Sequence, residues 1–336
     1  MRLDPNTIDN QAVFDVYLGL TASGYHLANP ERADAIRRAI LGGNWNQQVV
    51  RYFGLARIND GRVNPYWPRA SILTAVSLLT EHTEKATHSA LARAYLATMS
   101  NISPEEADDA TAVWAAALPE HIMSLRSSAG YREVYERYRD VIRGELRENG
   151  LGYELGALAA HRRLGFLIRP PHNGIEVVTV LNPLQADPLT DVVKSGDRLN
   201  VITSHLRVES YVHELVHVFL NPYLRDWTAR ISQHSHLLNP VYERMAFLRY
   251  AWDRSTASWC NVFSETLVRV FTVVVSESDT GASLVSRIQG IVEEGFLYAR
   301  PIFGTLAENE FQEPLSDQWL DRCLQACLTA AQPHAE

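Results

Sequence analysis

The stretch Tyr211-Val-His-Glu-Leu-Val-His-Val-Phe-Leu-Asn-Pro222 places His213, Glu214 and His217 inside an otherwise apolar run. A packed core has no use for three titratable groups within five residues, because burying them without partners costs several kcal/mol. On a helix, His213 and His217 lie one turn apart on one face. That spacing lets two imidazole nitrogens meet one zinc ion at about 2.0–2.1 Å. Glu214 is rotated off the ligand face and cannot easily join the same tetrahedron. It is placed to take a proton from a metal-activated water, as a general base must be. Val212, Leu215, Val216, Val218, Phe219 and Leu220 make this helix apolar nearly all round, so it should be largely buried. The bland alternative is a core helix with two satisfied histidines.

Outward from this helix, expected over 206–220 and ended by Asn221-Pro222, the texture differs on the two sides. Upstream, Gly165-Phe-Leu-Ile168, Ile175–Leu181 and Leu199–Thr203 read as short strands, the middle one rich in β-branched residues. The segment 182–196 reads as a loop. Downstream, the chain reads as helical, with turns at Asn239-Pro240, Asp279–Gly281 and Glu313-Pro314. The first half is also helical in pattern, over 31–41, 68–80 and 87–98. Ser103-Pro-Glu-Glu106 is a helix start, and a later helix carries Val134, Tyr138, Val141 and Ile142 on one face and stops near Asn149-Gly150. Helices, a small sheet, then helices define an α+β chain. The expected division is a helical region over 1–163 and a catalytic region over 164–336.

With 336 residues and 46% hydrophobic composition, the chain can bury a sizeable core. A formal charge of -8 and the lack of a basic tract argue against a nucleic-acid backbone as main partner. No stretch approaches 18 uncharged apolar residues, so no membrane span is expected. The start, MRLDPNTIDNQAVFDVYLGL, lacks the basic and then apolar layout of a secretory signal. Cys260, Cys323 and Cys327 form no disulfide framework, and a cytoplasmic location is expected.

A catalytic zinc needs a third protein ligand and an open position. The metzincin pattern would put Gly at 220 and His at 223, where this chain has Leu220 and Tyr223. A glutamate on a later helix remains. Glu265 sits among Val262, Phe263, Leu267, Val268, Val270 and Phe271, with Arg269 one turn on to pair with it or orient it. Its competitors are Glu243, His234 and His236. A buried Glu265–Arg269 ion pair without metal is a further alternative.

His213-Glu-x-x-His217 with a downstream Glu265 resembles the gluzincin metallopeptidases. More narrowly, HELVHVFLNP followed by SETLVRV is similar to an uncharacterised bacterial family of predicted gluzincin peptidases, as is VTVLNPL, Val178–Leu184. The resemblance covers about 175 to 300. It implies a zincin-like fold, a small sheet packed on the active-site helix. It also implies zinc ligands at His213, His217 and Glu265, a general base at Glu214, Arg269 as the residue orienting Glu265, and a peptide or protein substrate. For the developing oxyanion it favours Tyr298, in a Gly-Phe-x-Tyr segment, over Tyr223, Tyr242 and His236. Neither Glu-Asn-x-x-Glu nor Gly-x-Met-Glu-Asn occurs, so aminopeptidase activity is not implied. A substrate strand is expected to add to the sheet edge at 175–181. Two other functions fit the same residues: hydrolysis of a non-peptide amide or ester, and a non-catalytic zincin-like binding module. Intact Glu214 argues against the second.

Overall fold

The structure, a computed structural model, describes residues 10–24, 29, 32, 47–54, 69–80, 90, 92–93, 109–168, 176–187, 190–195, 198–244, 254–276, 281–308 and 314–332. In chain order these form α1 (Gln11–Ala22), α2 (Gln47–Gly54), α3 (Arg69–Thr80), α4 (Asp109–Ala116), α5 (Leu118–Arg126) and α6 (Tyr131–Leu167). The strands β1 (Glu176–Leu181), β2 (Thr190–Ser195) and β3 (Arg198–Thr203) follow, then α7 (Val208–Ser232) and α8 (Leu238–Arg244). The chain finishes with α9 (Thr256–Ser276), α10 (Gly281–Glu293), α11 (Ala299–Ala307) and α12 (Asp317–Ala331). The protein is mostly helical with a small mixed sheet, an α+β architecture. The helices expected over 31–41 and 87–98 fall almost wholly outside the described residues. The helix start at Ser103 and the turn residue Asp279 lie outside them too.

The chain groups into two compact units. One joins Arg2–Gly152 with Ile175–Leu206; the other joins Tyr153–Gly174 with Arg207–Glu336. In the first unit the sheet has the order β1-β3-β2, with β1 parallel and β2 antiparallel to β3, so β1 is an edge strand. β2 lies where a loop was expected over 182–196. Its run Thr190-Asp-Val-Val-Lys-Ser195 has only two β-branched apolar residues, and pairing with β3 rather than local pattern makes it a strand. The core of this unit gathers on Phe14, whose ring meets Tyr135 at 4.9 Å and Tyr138 at 4.5 Å. Asp15 is fully buried and is held by Arg126 at 2.7 Å and by the Tyr131 hydroxyl.

The second unit carries the His-Glu-x-x-His helix. α6 does not stop at Asn149-Gly150 but runs on to Leu167, so Gly165–Leu167 is helix and not strand. Tyr153, Ala157, Ala160, Leu164 and Leu167 are all buried and repeat at helical spacing. A run of four apolar residues cannot distinguish strand from helix by period alone, and the longer stripe decides. Tyr153 packs edge-on against Tyr211, and His161 against Phe219, eight residues on in both helices. Gly156 faces the first residue of α7: a β-carbon there would meet Val208 Cγ2 at 2.7 Å. The glycine is what allows this close approach.

α7 also outruns its expected end and passes through Pro222 to Ser232. Proline removes one hydrogen bond and crowds the carbonyl four residues back. The buried stripe nevertheless continues through Leu224, Trp227 and Ile231. Tertiary contact holds it: the Trp259 indole donates to the Ile231 carbonyl at 2.8 Å, and Trp227 donates to Asp317 at 2.8 Å. Asn239-Pro240 falls in the first turn of α8, where proline is tolerated. α9 packs along α7 with Val262, Phe263, Thr266 and Val270 buried. The end of α7 meets the start of α9, so the two helices are antiparallel. By length and composition α9 could cross a membrane, but 72% of its apolar window is buried within the protein, as in a core helix.

Candidate metal centre

α7 delivers His213 and His217 to one side, with ring centroids 5.0 Å apart. α9 delivers Glu265 opposite them. Glu265 Oε1 stands 3.8 Å from His213 Nε2, and Oε2 stands 3.5 Å from His217 Nε2. The three ligand atoms all lie within 4.8 Å of one another. Donors around a tetrahedral zinc at 2.0–2.1 Å are themselves about 3.3–3.4 Å apart. The observed separations are longer than the usual hydrogen-bond range of about 2.7–3.2 Å and close to that donor spacing. Two imidazoles and a carboxylate are also a donor set that suits zinc. The residues therefore fit the ion. Among the described residues this is the one such His/Cys/Asp/Glu group.

The electrostatics follow from burial at a shared site. Burial pushes His213 down to about 4; Glu265 opposes the fall, while His217 and Arg269 add to it. A neutral imidazole is the form that binds metal. Burial would also lower His217, but Glu265, Glu214 and the Asn221 side chain together outweigh it and raise that ring. Burial alone would raise Glu265. The facing histidines and Arg269 overcome it and hold the carboxyl well below its ordinary range. Glu265 is thus an ionised carboxylate in a mostly apolar helix, with its cation partner in place.

That partner is Arg269, whose Nε donates to Glu265 Oε1 at 2.8 Å. The ion pair expected as an alternative to metal binding is present, and it coexists with the converging histidines. Arg269 takes one carboxylate oxygen and leaves Oε2 facing His217. Its Nη1 also reaches Glu294 Oε2 at 2.6 Å, and its guanidinium lies 4.3 Å from the centre of the Phe296 ring.

The competing ligands are elsewhere. Glu243 is exposed and paired with Arg254. His234 and His236 meet edge-on, with ring centroids 6.2 Å apart. Neither they nor Glu243 belong to the group that could hold a metal. Glu214 is half-buried on the same turn of α7 as His213 and His217, and its charge is felt by His217. Tyr298 is buried, lies edge-on to Trp259, and donates its hydroxyl proton to the Leu237 carbonyl at 2.9 Å. An oxyanion role requires that hydroxyl to leave Leu237.

Sequence reasoning missed Asn221, Glu294 and Phe296. Asn221 was visible as the residue one turn beyond His217. Glu294 and Phe296 come from a different helix end, and no local pattern links them to Arg269. No protein-family model, curated protein or solved structure matches the chain.

Proposed function

We propose that the protein is a zinc-dependent peptidase of zincin-like type, using one ion held by His213, His217 and Glu265. The observation that carries this reading is the convergence of those three donors within 4.8 Å, with Glu214 on the same helical turn. When bound, zinc supplies a Lewis acid for a carbonyl and makes water acidic enough to lose a proton near neutral pH. Glu214 accepts that proton on its carboxylate and passes it to the departing amine nitrogen. Arg269 keeps Glu265 ionised and turned towards the histidines. Asn221, one turn beyond His217, helps to raise that ring's pKa and is placed to act as an outer partner of the imidazole. An intact base beside three ligands favours hydrolysis over a binding module, which needs no base. The substrate is a peptide or protein, and the proposed location is the cytoplasm.

The test is metal analysis joined to a cleavage screen on a mixed peptide library. The expected result is about one zinc per chain and cleavage abolished by chelator and by Glu214→Gln. A chain that takes up zinc but cleaves only non-peptide amides or esters would move the substrate class. A chain that takes up no metal after zinc addition would overturn the reading.

A further inference from the structure

We infer that Glu294 is a positioning residue for the metal centre: through Arg269 it fixes which oxygen of Glu265 is offered to the ion. This rests on the metal-binding reading above.

The argument starts from how α10 ends. The Phe296 N–H bonds back to the Ile291 carbonyl at 3.2 Å, and the Gly295 N–H bonds to Val292 at 2.9 Å. Gly295 has a φ of 109°, in the left-handed region that favours glycine. This is the Schellman form of helix ending. It reverses the chain sharply, so the residues on either side of Gly295 both meet Arg269. Glu294 accepts from Nη1 at 2.6 Å, and the fully buried Phe296 ring lies 4.3 Å from the guanidinium carbon.

Arg269 is therefore gripped at one end by a carboxylate and over one plane by an aromatic face. A planar guanidinium held in this way has little rotational freedom left. Its remaining Nε–H points at Glu265 Oε1, 2.8 Å away. With Oε1 occupied, Oε2 is the oxygen left for the ion, 3.5 Å from His217 Nε2. Without Glu294, Arg269 could turn its fork onto both oxygens of Glu265, the preferred bidentate geometry for this pair. The guanidinium would then compete with the metal for both oxygens. By holding Nη1, Glu294 fixes the plane of the guanidinium with Nε–H aligned on Oε1, and so opposes the rotation that would bring Nε and Nη2 onto both oxygens together.

The test compares wild type, Glu294→Ala, Glu294→Gln, Arg269→Lys and His217→Ala. Zinc affinity is read by competition with a chromogenic chelator. Coordination is read from the visible absorption of the cobalt(II)-substituted protein, and fold from metal-free thermal unfolding. Glu294 is 53% exposed, so Glu294→Ala should fold with a near-unchanged melting temperature. Its zinc affinity should fall about three- to tenfold, and the cobalt spectrum should change shape. Glu294→Gln keeps an acceptor for Arg269 and should recover part of the loss. Arg269→Lys cannot bridge both carboxylates and should resemble Glu294→Ala. Wild-type affinity and spectrum in Glu294→Ala, with binding lost in His217→Ala, would overturn the positioning role and leave the metal site standing. An affinity loss accompanied by an equal loss of metal-free stability would also overturn it. If wild type itself takes up neither zinc nor cobalt, both readings fail.

Discussion

Arg269 donates to one oxygen of Glu265 at 2.8 Å while the other oxygen faces His217 at 3.5 Å. One carboxylate thus serves a fixed cation and a pair of imidazoles at once. An ion pair and a metal ligand are usually weighed as rival explanations of a buried glutamate. Here the geometry accommodates both, and the rivals can be separated by measurement.

Glu265→Gln should weaken zinc strongly, because an amide oxygen is a far poorer ligand than a carboxylate and two histidines alone hold zinc loosely. Glu243→Gln should leave affinity unchanged, since Glu243 is an exposed partner of Arg254. Chelator competition on the two variants checks this. Tight zinc in Glu265→Gln would remove Glu265 from the ligand set.

Glu214→Gln preserves shape and removes the base. Zinc should bind as in wild type, and turnover should fall by two orders of magnitude or more, in line with the ~10²–10⁴ contribution of positioned acid–base groups. Metal content and rate are measured on the same preparation. Near wild-type turnover on every substrate would assign the proton transfer to another group.

Tyr298→Phe removes the hydroxyl that satisfies the Leu237 carbonyl. Leaving a buried acceptor unpaired costs about 1–3 kcal/mol, so the melting temperature should drop while kcat stays level. A fall in kcat at unchanged stability would instead place this hydroxyl on the oxyanion.

Gly156→Ala should destabilise the protein by about 1–3 kcal/mol, because the new methyl meets Val208 Cγ2 at 2.7 Å. The double variant Gly156→Ala with Val208→Ala should recover part of that loss. Denaturant unfolding of the three variants is the measurement. Strict additivity would mean that the two positions do not touch.

His213 is held neutral down to about 4, below its ordinary 6.5. Over that window the unfolded chain takes up a proton that the folded chain refuses, so this group makes the metal-free protein less stable as pH falls. The raised His217 acts with the opposite sign, which makes the variant comparison the informative one. His213→Ala should lose less stability than wild type between pH 7 and pH 4.5, read by thermal unfolding in the presence of chelator. An equal loss would deny the burial of His213.

The candidate site was more legible in the sequence than the fold. His213, Glu214 and His217 share one helical turn, and a four-residue spacing survives any error in the helix's ends. Glu265 was legible because a carboxylate among six apolar neighbours, Val262 to Phe271, needs a cation. Element boundaries were not, and for one reason in each case. Gly150 and Pro222 are local stop signals, and the buried stripes that continue beyond them overrode both. At Pro222 the indoles of Trp227 and Trp259 carry the helix onward. β2 was hidden because its partner, not its composition, makes it a strand. Glu294 was hidden for a similar reason. Its contact with Arg269 spans 25 residues and depends on a chain reversal at Gly295.

All three candidate ligands come from just two antiparallel helices, α7 and α9, joined mainly by side-chain packing. A slide of one residue along either axis is a shift of about 1.5 Å. That is already large against the tolerance of about 0.2 Å on a zinc–ligand distance. On the proposed metal-binding reading, zinc affinity is therefore a ruler laid across the helix pair. A substitution at Leu215, Val216, Phe263 or Val270, none of them a ligand, would register in chelator competition as a change in alignment, at displacements too small to alter the circular dichroism.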